Sequence, residues 1–277
     1  MNGQSTQPCP VCPRHCAPAE GQRGFCRARV ARAGRVVPAV YGAVSSLALD
    51  PIEKKPLHHF HPGGHILSVG GYGCNMRCPF CQNHEISQTG GEADPVVIQP
   101  EELVKKAEML LSQGNIGLAF TYNEPVVGFE YVRDTAFLAK SRGLACAMVT
   151  NGFFCADILT ELLPAIDAFN IDLKCFTAEG YRRLSGELCT VMDTIARLVP
   201  VAHVEVTWLV APGFSDGEED VEQAAKWLAG LSTELPLHLS RFFPRWQVQA
   251  EATPLPVMHR LRHLAQRHLR HVHLGNC

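Results

Sequence analysis

A tight group of three cysteines constrains this chain more than any other feature of its sequence. Cys74, Cys78 and Cys81 have the spacing C-x3-C-x2-C and directly follow a largely apolar run, residues 66–73, that contains three glycines. Cysteine thiolates hold iron–sulfur clusters, usually four of them for a cubane, so three ligands leave one iron open to a small chelating ligand. The spacing therefore predicts a [4Fe–4S] cluster on the loop that leaves a first strand.

Zinc is the main alternative for the same thiols. His84 lies three residues after Cys81 and would complete a four-coordinate Cys3His site. A second alternative, three unrelated buried thiols, is disfavoured by the close spacing. On spacing alone, the iron–sulfur cluster is favoured and zinc remains open.

Composition narrows the classes of protein to consider. The chain has 277 residues, with 25 basic and 27 acidic side chains and a formal charge of −2, which argues against nucleic acid as a partner. The amino-terminal segment lacks the apolar region of a secretory signal, and no stretch has the length and apolarity of a membrane span. We therefore expect a cytoplasmic protein with no membrane partner.

A second group of cysteines lies near the amino terminus. The chain has 12 cysteines, and in a reducing cytosol clustered thiols more often bind metals than form disulfides. Cys9, Cys12, Cys16 and Cys26 lie in a segment with little apolar periodicity, so residues 1–65 are expected to form a Cys-rich lobe and connecting loop that need a metal to fold. Tetrahedral zinc is slightly favoured there, a second iron–sulfur cluster remains open, and reduced surface thiols are the third alternative.

From about residue 66, short apolar runs alternate with longer amphipathic ones. This alternation implies parallel βαβ units, in an open sheet or a partial barrel, within a core domain of residues 66–277. Chemistry in such barrels lies at the carboxyl ends of the strands. Candidate strands are residues 66–70, 116–121, 144–150, 169–173, 204–210 and 237–242, with a short seventh at 272–274. Candidate helices are residues 100–113, 126–142, 156–163, 178–199, 218–231 and 255–268.

The cysteine motif also carries a resemblance to a known family. With the aromatic Phe80 before its last cysteine, a first strand before it and α/β alternation after it, the motif resembles that of radical SAM enzymes, where SAM is S-adenosylmethionine. The resemblance implies an incomplete parallel TIM-like barrel of the (β/α)6 type. Five stretches look like the AmmeMemoRadiSam-system radical SAM enzymes, a group similar to the pyruvate formate-lyase activating enzymes: residues 9–26, 50–57, 73–88, 119–125 and 170–174.

The resemblance further implies roles for residues at successive strand ends. The amino and carboxylate groups of SAM would chelate the open iron, and the end of the second strand would hold the amino group. Many relatives have Gly-Gly-Glu where this chain has Tyr122, Asn123 and Glu124. The resemblance therefore implies a role in SAM binding more strongly for Glu124 than for Asn123. The implied SAM-binding residues are Phe80, Thr121, Asn123, Glu124, Thr150, Asn151, Asp172, Lys174 and Val210.

Ordinary structural roles stay open at several of these positions. Glu124, just before a proline, is also typical of a solvated loop carboxylate. Asp172 and Lys174 are two residues apart on a strand and point to the same face, so they are as well placed to pair with each other as to bind a ligand. Val210 precedes a Pro-Gly pair that is typical of an ordinary turn.

The activity implied by the resemblance is reductive cleavage of SAM. A reduced cluster, served by an electron donor such as flavodoxin or ferredoxin, would split SAM into methionine and a 5′-deoxyadenosyl radical. That radical would abstract hydrogen from a substrate that the sequence does not identify. One alternative is a glycyl radical enzyme activase that acts on a backbone glycine of another protein. The other is a zinc-binding structural protein without SAM chemistry.

Overall fold

A mostly parallel sheet flanked by helices dominates the computed structural model, which describes residues 6–39, 41–91 and 94–277. Within these residues the strands are β1 (Arg29–Arg32), β2 (Arg35–Pro38), β3 (Ala43–Val44), β4 (Ser46–Pro51), β5 (His65–Gly70), β6 (Val96–Val97), β7 (Asn115–Thr121), β8 (Ala145–Thr150), β9 (Ala168–Asp172), β10 (His203–Val210), β11 (Leu237–Arg241) and β12 (Val272–Gly275). The α-helices are α1 (His84–Ser87), α2 (Pro100–Met109), α3 (Phe129–Ser141), α4 (Ala156–Leu162), α5 (Ala178–Arg183), α6 (Leu188–Leu198), α7 (Glu218–Leu231) and α8 (Leu255–Ala265).

The main sheet has the strand order β12-β11-β10-β9-β8-β7-β5-β4. All neighbours from β5 to β12 in this order pair in parallel, whereas β4 pairs antiparallel with β5 at one edge. Successive parallel strands are joined by helical crossovers, as parallel pairing requires. The arrangement confirms the expected α/β class and the incomplete parallel barrel. In the described part of the chain, no helix combines the length and apolarity needed to cross a bilayer.

The strands match the sequence-based prediction better than the helices do. Each of the seven expected strands lies within one residue of its predicted bounds. The helix expected over 178–199 is instead two helices, α5 and α6, because Ser185 between them has a left-handed φ of 60° that an α-helix cannot contain. The helix expected over 126–142 begins with a 3-10 turn, Pro125–Gly128, and becomes α-helical only at Phe129.

β4, which lies in the predicted first domain of residues 1–65, belongs to the main sheet. β4 pairs with β5, and the turn that follows it buries Lys55. The Nζ atom of Lys55 lies 2.8 Å from Oδ2 of Asp50 and 3.3 Å from the hydroxyl of Tyr122. The main sheet therefore extends into the first of the two predicted domains, and the division into residues 1–65 and 66–277 stays a prediction.

Histidines from distant parts of the chain meet at the amino-terminal ends of β10, β11 and β12. We call His58, His59, His238 and His273 the histidine cluster. The ring centroids of His58 and His238 are 4.6 Å apart, and the Nε2 atoms of His59 and His273 are 2.9 Å apart. Buried Glu205 accepts hydrogen bonds from the backbone N–H groups of His58 at 3.0 Å and His59 at 2.8 Å, and lies 2.6 Å from Nε2 of His238. These contacts attach the connecting segment to the amino-terminal end of the sheet.

We expect the histidine cluster to lower the stability of the protein in mild acid. Burial, and then the neighbouring histidines, lower the pKa of His273 to about 4. His273 therefore stays neutral in the folded chain at pH values where the same side chain in the unfolded chain, with a pKa of ~6.5, is already protonated. This stability is present above about pH 6.5 and is lost as the pH falls towards 4. His273→Gln should therefore show a smaller fall in Tm than the wild type between pH values of about 7.5 and 5, measured by scanning fluorimetry.

The matched control is His259→Gln, at an exposed position on α8 outside the cluster. It should follow the wild type at both pH values. If His273→Gln loses as much Tm as the wild type on acidification, His273 is not the source of the acid sensitivity.

Candidate functional site

A cavity of about 260 Å³ opens at the carboxyl ends of the parallel strands. This is the end of the sheet at which barrels of this kind carry their chemistry. The cavity brings together the three clustered cysteines and all but one of the expected ligand-binding residues. Its walls are formed by Cys74, Met76, Cys78, Phe80, Cys81, Gln82, Asn83, Ser87, Thr121, Tyr122, Asn123, Glu124, Val149, Thr150, Asn151, Asp172, Lys174, Thr207, Leu209 and Ser240.

Buried amides hold the loop that carries the three cysteines. Asn75 is fully buried, donates to the carbonyl of Phe153 at 2.5 Å and accepts from Nδ2 of Asn151 at 2.9 Å. The same Nδ2 atom lies 3.7 Å from Sγ of Cys74. A buried amide left without partners would cost about 1–3 kcal/mol, so this network fixes the amide positions. Asn75 and Asn151 thereby set the position of Cys74 relative to the end of β8.

The cysteine thiols lie in a poorly hydrated environment. Burial raises the pKa of Cys74 well above its ordinary value, and Glu124 raises it further. Burial also raises the pKa of Cys78 to about 12, although the ammonium of Lys174 acts in the opposite direction. Both groups are therefore protonated at neutral pH until a metal takes the place of the proton, and metal binding releases protons.

His84, the fourth ligand of the zinc alternative, lies outside the cavity. Its ring stacks on Trp246, with centroids 5.4 Å apart and planes inclined by 12°. Across the residues that the structure describes, no three His, Cys, Asp or Glu side chains already converge on a single-ion site. The position of His84 therefore gives no support to a Cys3His site.

Glu124 is a buried carboxylate at the end of β7, with an exposed fraction of 3%. Its Oε1 atom accepts from the hydroxyl of Thr150 at 2.7 Å and from the N–H of Val126 at 3.2 Å, and its Oε2 atom accepts from the N–H of Asn151 at 2.8 Å. Burial raises the pKa of Glu124 to about 7, in spite of these hydrogen bonds, which favour the charged form. The solvated-loop alternative is thus wrong, and the carboxyl group is poised to ionise when a cation binds beside it.

Asn123 and Tyr122 form a turn that binds two neighbouring loops. The side chain of Asn123 accepts from the N–H of Gly71 at 2.9 Å and donates to the carbonyl of Gly73 at 3.2 Å. Tyr122 has a left-handed φ of 71°, which is uncommon for a residue other than glycine, and its carbonyl accepts from Nδ2 of Asn83 at 2.8 Å. The turn therefore joins the end of β7 to the glycine run and to the cysteine loop.

Asp172 and Lys174 pair with each other on the cavity wall. The Nζ atom of Lys174 lies 2.7 Å from Oδ2 of Asp172, and both residues line the cavity. Burial favours the neutral amine, but Asp172 and Cys78 outweigh it and raise the pKa of Lys174. The ion pair and the ligand-facing position, which the sequence left as alternatives, therefore occur together.

Val210, expected beside the ligand, does not line the cavity. Thr207 and Leu209 on the same strand do, and the alternation of side chains along β10 directs Val210 to the opposite face, where it is fully buried. Its carbonyl accepts a hydrogen bond from the hydroxyl of Thr253 at 2.5 Å. The sequence identified the strand end but not the face that meets the cavity.

Sequence reasoning also missed Tyr122 and the buried pair behind it. The hydroxyl of Tyr122 donates to Oδ2 of Asp50 at 2.7 Å, and the ammonium of Lys55 lies 4.5 Å from the centre of its ring. Lys55 lies in residues 50–57, one of the stretches that carry the family resemblance. That resemblance was the signal in the sequence that could have identified Lys55. The contact itself joins segments 67 residues apart in sequence and therefore has no local signature.

The four amino-terminal cysteines lie around a separate, smaller cavity. Cys9, Cys12, Cys16 and Cys26 line it together with Arg14, Arg29 and apolar side chains. None of the four forms a disulfide. The structure therefore brings together the quartet that the sequence had grouped as metal ligands.

The residues around the larger cavity fit an iron–sulfur cluster with a small organic ligand. Three thiols on one loop supply the soft ligands that such clusters prefer. The remaining wall offers the carboxyl of Glu124, the amide of Asn151 and the charged pair of Asp172 and Lys174. Groups of this kind suit a ligand that carries an ammonium, a carboxylate and hydroxyl groups.

Comparisons with known proteins agree with this chemistry. The model of the radical SAM superfamily matches residues 68–228. An uncharacterised protein of Methanocaldococcus jannaschii is 38% identical over 275 residues, which cover 97% of this chain and 80% of that protein. The pyruvate formate-lyase 1-activating enzyme of Escherichia coli (strain K12) is 28% identical over 160 residues, which cover 56% of this chain and 65% of that enzyme.

The solved structure of Streptococcus suis SuiB bound to S-adenosylmethionine shares the fold. It matches with a TM-score of 0.60 at 11% identity, over 82% of this chain and 54% of that chain. At so low an identity, the likeness concerns the fold alone.

We expect Glu124→Gln to change how stability depends on pH when SAM is absent. The pKa of this carboxyl is raised from 4.5 to about 7, so between those pH values the folded wild type holds a proton that the unfolded chain has lost. The wild type therefore loses stability as the pH rises through this window, whereas the neutral amide does not. The Tm of Glu124→Gln relative to the wild type should rise from about pH 5 to about pH 8.

The matched control is Glu251→Gln, which changes an exposed carboxylate in the loop before α8. Its Tm relative to the wild type should not vary with pH. A constant difference between Glu124→Gln and the wild type at both pH values would contradict a raised pKa for Glu124.

Proposed function

Since this chain belongs to the radical SAM superfamily, we propose that Cys74, Cys78 and Cys81 hold a [4Fe–4S] cluster and that the adjoining cavity holds SAM. Membership of the family implies an enzyme that uses both cofactors. The observation that carries the residue assignment is that the three thiols share one cavity of about 260 Å³ with Glu124 and Asn151.

Glu124 is proposed to receive the amino group of SAM. Its pKa of about 7 places the carboxyl at the edge of ionisation, and an ammonium beside it would lower that pKa because opposite charges favour the ionised form. Thr121, Asn123, Thr150 and Asn151 are proposed to complete this part of the site, since all four line the same cavity.

Asp172 and Lys174 are proposed to bind the ribose hydroxyls and the methionyl carboxylate. The pair already holds both charges on the cavity wall, with 2.7 Å between Nζ and Oδ2, so little reorganisation is needed when a polar ligand enters. Phe80 is proposed to lie beside the adenine, and packing against Phe214 at 5.2 Å between ring centroids fixes its position. Because the side chain of Val210 does not line the cavity, Val210 is proposed to contribute to the SAM site through its main-chain atoms.

The protein is proposed to act on SAM by ligation, orientation and exclusion of water. When bound, the cluster supplies the electron that divides SAM into methionine and a 5′-deoxyadenosyl radical. Asn75 and Asn151 hold the loop of Cys74 in register with the strand ends. Buried walls keep water away from the reacting groups and prevent side reactions.

Within the superfamily, we propose that this is an enzyme of the AmmeMemoRadiSam type with a substrate still to be identified. Residues 50–57, one of the stretches that resembles this group, contribute directly to the surroundings of the site. Asp50 and Lys55 bind the hydroxyl of Tyr122, and Tyr122 lines the cavity. The 38% identical relative aligns over 97% of this chain, which includes most of the cysteine-rich amino-terminal region.

A glycyl radical enzyme activase is the second candidate. It is favoured by the similarity to the pyruvate formate-lyase 1-activating enzyme, of which this chain matches slightly less than two thirds. The substrate would then be a backbone glycine of a partner protein, and the electron donor a flavodoxin or ferredoxin. This candidate would be supported if a glycyl radical enzyme accelerates SAM cleavage when it is added, and if the EPR spectrum of that enzyme then shows a glycine-centred radical.

Three further assignments are proposals of the same kind. The quartet of Cys9, Cys12, Cys16 and Cys26 would hold a second metal centre, either zinc or an iron–sulfur cluster. Residues 1–65 would form a lobe separate from the catalytic core of residues 66–277. The cytoplasm is the proposed location.

Anaerobic reconstitution with iron and sulfide tests the catalytic assignment. We expect the wild type to bind a cluster and, with SAM and dithionite, to release 5′-deoxyadenosine, measured by chromatography and mass spectrometry. Cys78→Ser should lose the cluster and the product because one thiolate ligand is removed. Cys189→Ser, at an exposed position on α6, is the matched control and should keep both. Zinc without iron or sulfide at the triplet would contradict the proposal.

Asp172→Asn tests the proposed ribose and carboxylate contacts. The change keeps the shape of the side chain but removes a charged hydrogen-bond acceptor, a loss of about 1.5–3 kcal/mol or roughly 10–100-fold in affinity. We expect the Kd for SAM, measured by equilibrium dialysis on the reconstituted protein, to rise by that factor. Asp193→Asn, on the exposed face of α6, should bind SAM like the wild type. An unchanged Kd in Asp172→Asn would remove Asp172 from the binding site.

A further inference from the structure

The space among the four amino-terminal cysteines is much smaller than the cavity beside the other cysteine group. The cavity that Cys9, Cys12, Cys16 and Cys26 line has an open volume of about 10 Å³, whereas the cavity beside the other cysteine group measures about 260 Å³. Four cysteine thiolates suit a single tetrahedral zinc ion, which needs far less room than a cluster of several irons and sulfides.

The backbone of this region already folds around the four side chains. The N–H of Cys9 donates to the carbonyl of Cys16 at 2.9 Å, and the N–H of His15 donates to the carbonyl of Cys12 at 3.0 Å in a tight turn. A Cβ atom on Gly24 would lie only 3.3 Å from Cβ of Cys16, so glycine lets this cysteine approach. The thiols line the cavity without yet meeting at one point, so ion binding requires them to move closer together.

The turn between Cys12 and Cys16 also contacts the catalytic cysteine loop. It carries Arg14, whose Nε atom donates to the carbonyl of Asn75 at 2.9 Å. The guanidinium of Arg14 lies 3.7 Å from the ring centre of Phe25, the residue before Cys26, and donates to the carbonyl of Ser185. Arg14, between Cys12 and Cys16, therefore packs against the residue that precedes Cys26.

A second arginine makes the reciprocal contact from the catalytic loop. Arg77 donates to the carbonyl of Cys74 at 2.9 Å and to the carbonyl of Phe25, and its guanidinium lies 4.1 Å from the ring centre of Phe25. A side chain on Gly73 would collide with the carbonyl oxygen of Cys26, so the two loops are in backbone contact there. Phe25 thus packs against an arginine from each cysteine group.

We propose that Cys9, Cys12, Cys16 and Cys26 bind one zinc ion, and that this ion positions the catalytic cysteine loop through Arg14, Phe25 and Arg77. Four thiolates close a tetrahedral zinc site and leave no position for a substrate, so the ion has no redox role. Binding replaces the thiol protons with four zinc–sulfur bonds and fixes the turns that carry Arg14 and Phe25. The positioning role rests on the proposed cluster at the catalytic loop, whereas the zinc site itself does not.

Metal analysis tests the zinc site. The wild-type protein should contain about one zinc ion per chain, with a zinc-edge absorption spectrum that shows sulfur neighbours at about 2.3 Å. Cys12→Ser should lose the zinc, and Cys146→Ser, a buried cysteine outside both cavities, should retain it. If Cys12→Ser is insoluble, the absorption spectrum of the wild type still shows whether sulfur atoms bind the zinc. Iron in place of zinc at the quartet, or zinc with nitrogen and oxygen neighbours, would overturn the proposal.

Arg14→Ala tests the positioning role separately. This variant keeps all four thiols, so it should retain its zinc, but it loses the bond to the carbonyl of Asn75. We expect a changed EPR spectrum of the reduced cluster and a smaller spectral response to SAM, with partial recovery in Arg14→Lys. Arg197→Ala, at an exposed position on α6, should behave like the wild type.

The outcomes distinguish the two proposals. If Cys12→Ser loses zinc but the EPR spectrum of Arg14→Ala is identical to that of the wild type, the zinc site stands. The proposal that zinc positions the catalytic cysteine loop is then overturned. A wild type that contains zinc and a cluster but forms no 5′-deoxyadenosine would overturn the proposed function and leave the zinc site standing.

Discussion

A single buried carboxylate ties the strand ends on which the site depends. Glu124 ends β7, and its two oxygens accept hydrogen bonds from the hydroxyl of Thr150 and the backbone of Asn151 at the end of β8. Asn151 in turn bonds Asn75 and reaches towards Cys74, so the cysteine loop takes its position from the same network. Because a buried charge is stable only with such partners, the network that orients the cysteine loop also keeps a carboxyl group with a pKa of about 7 inside the protein.

The two ends of the sheet have different polar networks. At the carboxyl ends, thiols, a carboxyl group and the pair of Asp172 and Lys174 surround an open cavity. At the amino-terminal ends, Glu205 and the histidine cluster bond with one another and attach the connecting segment to the sheet. Parallel strands separate these roles, because loops that follow the strands all meet at one end and loops that precede them meet at the other.

Arginine side chains join the region of the four amino-terminal cysteines to the rest of the protein. Buried Arg29 on β1 bonds the carboxylate of Glu130 on α3 at 2.7 Å. Arg14 donates to the carbonyl of Asn75 in the loop of the three clustered cysteines, and Arg77 of that loop donates to the carbonyl of Phe25. Arginine suits these positions because one planar group donates several hydrogen bonds and packs on an aromatic ring at the same time.

The sequence alone predicted the alternation of strands and helices from about residue 66, the seven parallel strands and the two cysteine groups, because these depend on local periodicity and spacing. It also placed Glu124, Asp172 and Lys174 at strand ends, where parallel topology brings them together. The tertiary structure decided which face of β10 meets the cavity, that Lys55 lies behind Tyr122, and that His58 meets His238. It also decided that His84 stacks on Trp246 and does not line the cavity, and that Arg14 bonds Asn75. These contacts join segments far apart in the chain, and they form only when the packing of the whole sheet fixes the distance and direction of each side chain.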